Sequence, residues 1–321
     1  MRVVVIGATG HIGTFLVPRL VDSGHDVVAV SRGTREPYRQ SPLWDRVERV
    51  RVDRDAEDAA GTFADRIAAL APEVVVDLVC FTPASARHLV EGLRGRVRHL
   101  VHIGSIWTHG LSTALPLRED DPKEPFGEYG VQKAEIERYL IAESRGGGLQ
   151  CTVVHPGHIS GGGWPVITPV GNLDPAVWTA LAAGDPLAVP GSGSETMHHV
   201  HADDVAQVVQ LAIANRETSV GESFHAVSDR ALSVRGFARA AAAWFGREPE
   251  LEHLDWDGFR ARTEPDHADA SWQHLSRSHV ASIDKARDVL GYVPRYTSEE
   301  AAREAVEWMV RAGELDVPLP R

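Results

Sequence analysis

Four β-branched residues, Val3-Val4-Val5-Ile6, run directly into Gly7-Ala8-Thr9-Gly10-His11-Ile12-Gly13, and a helical pattern follows. A short apolar run of this kind suits a strand buried on both faces of a parallel sheet. Glycines at this spacing let the backbone turn tightly, approach a pyrophosphate and pack the helix against the strand. The free N–H groups and dipole of the helix start then favour an anion. A bare glycine pattern says little; one set between strand and helix says much more. Gly7, Thr9, Gly10, His11, Ile12 and Gly13 are the expected dinucleotide-binding turn.

The rest of the N-terminal half alternates in the same way. A helix over 11–23 capped by Gly24 leads to a strand over 26–30 and another over 47–52. Helix 56–70, strand 73–79, helix 83–93, strand 98–103, helix 127–145 and strand 150–155 complete the rhythm. This predicts an α/β fold, a Rossmann-type doubly wound parallel sheet with right-handed crossovers. Residues 156–175, rich in glycine and proline, read as a loop beside the ligand. A strand over 197–201, a helix over 203–215 and a strand over 223–227 follow, and the chain from about Ala231 is mostly helical, ending in an amphipathic helix over 298–311. The expected division is a dinucleotide-binding domain of residues 1–155, rejoined by 197–227. A smaller, mostly helical substrate lobe takes 156–196 and 228–321.

Composition narrows the partners. With 33 Lys and Arg against 45 Asp and Glu the net charge is −12, which disfavours nucleic acid and anionic membrane surfaces. No apolar stretch approaches membrane-spanning length. Val3–Ile6 is too short for a secretion signal, and Cys80 and Cys151 read as buried thiols of a reducing compartment, so a cytoplasmic protein is expected. His199 and His201 share one strand face and His198 the other; with no Cys or Glu to complete a ligand set, no metal is expected.

The second strand ends Val30-Ser31-Arg32-Gly33, without the carboxylate that would bind the ribose hydroxyls of NAD. Arg32, helped by Ser31, suits the 2′-phosphate of NADP instead, with NAD as the alternative. Asp53 either reaches the adenine amino group or caps its own loop. Tyr129 and Lys133 are four residues apart near a helix start and share one face. The chain has five tyrosines and only three lysines, so the pairing is rarely accidental. A nearby ammonium stabilises a phenolate and suits the tyrosine to proton transfer. Ser105, just past the fifth strand, is placed to bond a substrate oxygen.

Together, Gly-Ala-Thr-Gly-His-Ile-Gly, Ser105 and Tyr129-Gly130-Val131-Gln132-Lys133 resemble the extended short-chain dehydrogenases/reductases, and within them the NAD-dependent epimerase/dehydratase branch. His155-Pro156-Gly157, the stretch 199–206 and Asp284-Lys285-Ala286 through Leu290-Gly291-Tyr292-Val293-Pro294 resemble later landmarks of that branch. The resemblance implies that Ser105 orients substrate, Tyr129 transfers the proton, and Lys133 supports both phenolate and cofactor. It also implies cofactor contact by Tyr129, Lys133 and Pro156, and a homodimer.

Departures from the branch bear on the substrate. Sugar-nucleotide epimerases place an asparagine where His158 stands and an arginine where Met197 stands, and dehydratases follow their Ser/Thr with Asp-Glu where this chain has Ile106-Trp107. Ser105, Trp107, His109, His158 and Trp164 are therefore expected to line a bulky aromatic pocket for a small non-nucleotide molecule. The leading expectation is an oxidoreductase acting on a carbonyl or alcohol. The alternatives are an epimerase working by transient oxidation and re-reduction, and a non-catalytic dinucleotide-sensing or RNA-associated protein. Retention of both Tyr129 and Lys133, with the acidic charge, weighs against the last.

Overall fold

The computed structural model describes residues 1–321. Six strands arise in the first half: β1 (Arg2–Ile6), β2 (Asp26–Ser31), β3 (Glu48–Arg51), β4 (Val74–Asp77), β5 (His99–Ile103) and β6 (Cys151–Pro156). Four short ones follow: β7 (His158–Ser160), β8 (Leu187–Pro190), β9 (Thr196–Met197) and β10 (His199–His201). β11 (Ser223–Ala226) then returns to β6 and completes a seven-stranded parallel sheet ordered β11-β6-β5-β4-β1-β2-β3. The strand order reverses between β1 and β4, and a crevice at the carboxyl ends of the strands opens at such a point.

Helices α1 (His11–Asp22), α2 (Arg54–Ala60), α3 (Phe63–Ala68), α4 (Pro83–Leu93) and α5 (Gly127–Arg145) are the crossovers of this Rossmann-type fold. α6 (Pro175–Ala183) lies outside the sheet, and α7 (Ala202–Ala214) packs along α1. Buried apolar side chains fill both faces of the sheet. One layer includes Leu16, Val101 and Val205, and the other Val4, Leu89 and Val153. A separate apolar core, including Trp178, Phe237 and Val306, holds the C-terminal portion together. No helix is long and apolar enough to cross a membrane.

Two expected elements are broken in the structure. The helix over 56–70 becomes α2 and α3 because Gly61, at φ +69°, closes α2 in the left-handed conformation. The strand over 197–201 is interrupted at His198, whose carbonyl accepts from the His158 N–H (2.8 Å). On either side of this point β9 pairs with β12 (Leu232–Ser233), and β10 pairs with β7. Gly157 permits that approach, since a Cβ there would collide with the His198 carbonyl. Only β11 of the 197–227 stretch enters the main sheet. The C-terminal third is also less purely helical than expected, because β13 (Leu251–Leu254) pairs with β8.

Candidate active site

The glycine turn takes the form its spacing implies. Gly7, at φ +83°, donates to the Val30 carbonyl (2.9 Å), and Gly10 donates back to Gly7 (3.0 Å). A Cβ at Gly13 would strike the Ala8 carbonyl, so helix and strand meet at a distance only glycine permits. The α1 N-terminus has no side-chain cap and no acidic residue in its first turn, leaving its N–H groups free for an anion.

A cavity of about 400 Å³ opens in front of this turn. Gly7, Thr9 and Gly10 form one wall, Ser31, Arg32 and Arg35 another, with Val52, Phe63 and Val79 behind. Arg32 and Arg35 are exposed and make no ion pair in the structure. A glycine cradle, an uncapped helix start and two unpaired cations fit the phosphates of a dinucleotide. Asp53 caps α2, accepting from the Asp55 and Ala56 N–H groups (3.1 and 3.3 Å), so of its two readings the loop cap is the one formed. The neighbouring Arg54 turns inward to Asp77 (2.6 Å) and Ser85 (2.9 Å).

Beyond the cavity, the ends of β5 and β6 meet the first turns of α5. The Ser105 hydroxyl accepts from the Trp107 N–H (3.1 Å), and its own N–H donates to His155 Nδ1 (3.0 Å). Because Nδ1 accepts, the ring proton belongs on Nε2, which lies 2.9 Å from Glu137. Burial pushes Glu137 up, but His155 and Lys123 outweigh it and hold the carboxyl well below the usual carboxylate range. Pro156 ends β6 and is buried there.

Tyr129, Lys133 and Glu137 recur at every fourth residue of α5. Lys133 is only 1% exposed, and its ammonium donates to the Cys80 and Ile103 carbonyls (2.7 Å each). Burial depresses its pKa to about 8. Its Nζ lies 5.9 Å from the Tyr129 ring centre. Tyr129 itself is 42% exposed, with Trp107 edge-on to its ring (5.7 Å). Desolvation raises the phenol above its ordinary range, and Ser105 acts in the opposite direction. In this state the group that lowers the Tyr129 pKa is therefore Ser105, where the spacing alone had pointed to Lys133.

The five expected substrate residues do not converge. Ser105 and Trp107 stand beside Tyr129, and His158 reaches the same region through His274, whose ring is 5.1 Å from His158 and 5.0 Å from Trp107. His109 is turned into the interior, 3% exposed, with Nε2 2.9 Å from His225 Nε2. It belongs to the packing behind the site, because the turn after Ser105 directs it towards β11. Trp164 stacks on His11 (5.5 Å, 11° between planes) and lines the dinucleotide cavity instead.

Arg277 was not legible in advance. It is 1% exposed and sandwiched between Trp107 (3.9 Å) and Phe126 (3.8 Å), and burial lowers its pKa to about 10. Nothing around an isolated arginine in the C-terminal third signals such a place. Asp77, Cys80 and His102 also cluster. Arg54 already neutralises Asp77, and burial pushes the Cys80 thiol up to about 12, so the group is poorly suited to a cation.

Comparison with known proteins gives the family and the fold. Residues 3–226 match the model of the NAD dependent epimerase/dehydratase family. The chain is 30% identical over 237 residues, 73% of its length, to 2'-dehydrokanamycin reductase of Streptomyces kanamyceticus, spanning 64% of that protein. It is 29% identical over 331 residues to a UDP-glucose 4-epimerase of Mycolicibacterium smegmatis, covering 96% of this chain and 98% of the epimerase. Its fold matches that of UDP-glucose 4-epimerase from Thermotoga maritima with a TM-score of 0.70 at 21% identity, covering 97% of this chain and 99% of the other. The chain belongs to the NAD dependent epimerase/dehydratase family and is an NAD(P)-dependent enzyme of the extended short-chain dehydrogenase/reductase type.

Proposed function

We propose that the protein is an NADP-preferring reductase or dehydrogenase acting on a carbonyl or alcohol of a small non-nucleotide substrate, with Ser105, Tyr129 and Lys133 as its catalytic set. The observation that carries this reading is the placement of Ser105 and Tyr129 together at the strand ends, beside a glycine-walled cavity holding two unpaired arginines. The dihydronicotinamide, when bound, supplies hydride to the carbonyl carbon. Tyr129 O–H gives its proton to the oxygen that becomes the alcohol, and Ser105 holds that oxygen. Lys133 has three donors and uses two on carbonyls, which leaves one for the nicotinamide ribose.

The substrate side supports a non-nucleotide. Met197 is wholly buried in the C-terminal core, and Arg277 is enclosed between two aromatic rings, so neither offers an open cation to a sugar diphosphate. The full-length match to an epimerase keeps a second reading in play. An epimerase interconverts UDP-glucose and UDP-galactose on tightly held cofactor with none added, whereas a reductase consumes NADPH one for one with a ketone. Interconversion without added NADPH, and no NADPH consumption with a panel of small ketones, would overturn the proposal.

Two further outcomes test the assignments. Arg32→Ala is expected to weaken NADPH binding about 10- to 100-fold, the loss of a charge-assisted contact, with NADH nearly unchanged. Equal losses, read by fluorescence titration, refute the phosphate role. The rate of NADPH-dependent reduction should fall as pH rises through about 8, where the Lys133 ammonium loses its proton. Lys133→Arg should move that alkaline limb upward, since a guanidinium stays charged. A profile flat from pH 7 to about 10 counts against Lys133.

A further inference from the structure

Trp164 stands where nothing in the glycine motif requires a side chain, and its surroundings explain how it arrives there. It follows Gly161-Gly162-Gly163, a loop pressed between the dinucleotide-binding side and the C-terminal helix Ser298–Arg311. Gly161 (φ +115°) has His201 Nε2 2.6 Å from where a Cβ would sit, and Gly162 has Glu304 and Trp308 at 3.3 and 3.6 Å. At Gly163 (φ +97°) a Cβ would enter the Tyr38 ring. Gly161 and Gly163 leave no room for a side chain, and Gly162 leaves little. The next side chain emerges on the cavity side and lies over α1.

There Trp164 packs against two neighbours. Its indole lies nearly parallel to the imidazole of His11, the first residue of α1, and the Arg35 guanidinium lies 5.8 Å from the indole centre. His11 is buried, with Nε2 lacking any partner. Arg35 makes no ion pair, and both it and Trp164 line the 400 Å³ cavity. These contacts therefore bridge the cavity mouth from the wall after β2 to the anion-favouring end of α1. Arg32 and Arg35 face the space beneath them.

We infer that Trp164 and Arg35 form a roof over the adenosine end of the dinucleotide site, with Trp164 governing how long the dinucleotide stays and Arg35 reading a 2′-phosphate on its ribose. This rests on the reading that the cavity takes the dinucleotide. The physical reason is twofold. An aromatic roof excludes water and strengthens the attraction of Arg32 and Arg35 for a phosphate. A ligand leaving the site must also break the contacts of Trp164 with Arg35 and His11. Trp164 thus works on the cofactor, away from Tyr129, and comes from the 156–196 segment rather than from the glycine turn.

The test needs no substrate. Release of NADPH and of NADH is followed by stopped-flow displacement from the full chain, using wild type, Trp164→Ala, Trp164→Phe and Arg35→Ala. Loss of one aromatic pair and one cation–π contact predicts about tenfold faster release of both dinucleotides from Trp164→Ala. Trp164→Phe keeps a stacking ring and should stay within about threefold of wild type. Arg35→Ala should speed NADPH release more than NADH release. Because Trp164 is 40% exposed, the variants are expected to fold, and circular dichroism checks that they do. Wild-type release from Trp164→Ala, or equal acceleration in the Ala and Phe variants, overturns the roof. A wild-type chain that binds neither NADPH nor NADH overturns the dinucleotide reading beneath it, which is a separate result.

Discussion

Replacing Tyr129 by phenylalanine is expected to lower kcat by about 10²- to 10⁴-fold, the range for removing a positioned proton-transfer group, while the NADPH dissociation constant stays within about twofold. The ring sits on the first turns of α5 with Trp107 against its edge, contacts that phenylalanine preserves. What is lost is the hydroxyl that Ser105 faces. Since burial holds the phenol above its ordinary range, Tyr129 is protonated at neutral pH and ready to donate in the direction of reduction. Ser105→Ala should reproduce part of the loss through the same oxygen. Unchanged turnover in Tyr129→Phe would end the catalytic assignment, and a large loss of NADPH affinity would turn it into a binding role.

The second large effect concerns stability. Asp77→Asn is expected to destabilise the protein by about 3 kcal/mol, because it removes the closer carboxylate from the buried Arg54 guanidinium and leaves only Asp58, at 3.4 Å. The pair is 2.6 Å apart with both side chains nearly sealed from water. Arg54 also donates to Ser85, which ties α2 to α4. Replacing both partners with apolar groups, Arg54→Met with Asp77→Leu, should recover most of that loss, since a buried ion pair contributes little net energy beyond compensating its own desolvation. The pair reaches the active site as well. Asp77 raises the Lys133 pKa and Arg54 lowers it, so Asp77→Asn should move the alkaline limb of activity to lower pH. Urea unfolding of the single and double variants reads the first effect and the pH–rate profile the second. A single variant within about 0.5 kcal/mol of wild type would show that Asp77 is dispensable to Arg54, with Asp58 sufficient as its anion.

Much of this arrangement was legible beforehand wherever it depended on neighbours in the chain. The glycine turn is local: its φ angles, close approaches and uncapped helix start involve residues 7–14 and the strand beside them. Tyr129 and Lys133 share a face because a helix repeats every 3.6 residues. Ser105 lies two residues past the end of β5. Where the reading failed, the deciding contact lay far along the chain or at a single dihedral. Gly61 could have been passed over within a helix, and one left-handed residue there split it.

Sequence by itself therefore determined the parallel sheet, the glycine turn and the shared helix face of Tyr129 and Lys133, because strand, turn and helix periodicities are properties of contiguous residues. Tertiary structure decided which way the remaining side chains face. His109 meets His225, 116 residues away, and so leaves the cleft; Trp164 crosses to His11 and so lines the cavity in front of the glycine turn. Arg54 finds Asp77, and Arg277 is enclosed by Trp107 and Phe126. Each of these placements is set by packing between elements distant in sequence, where burial and close approach, rather than any local pattern, select the partner.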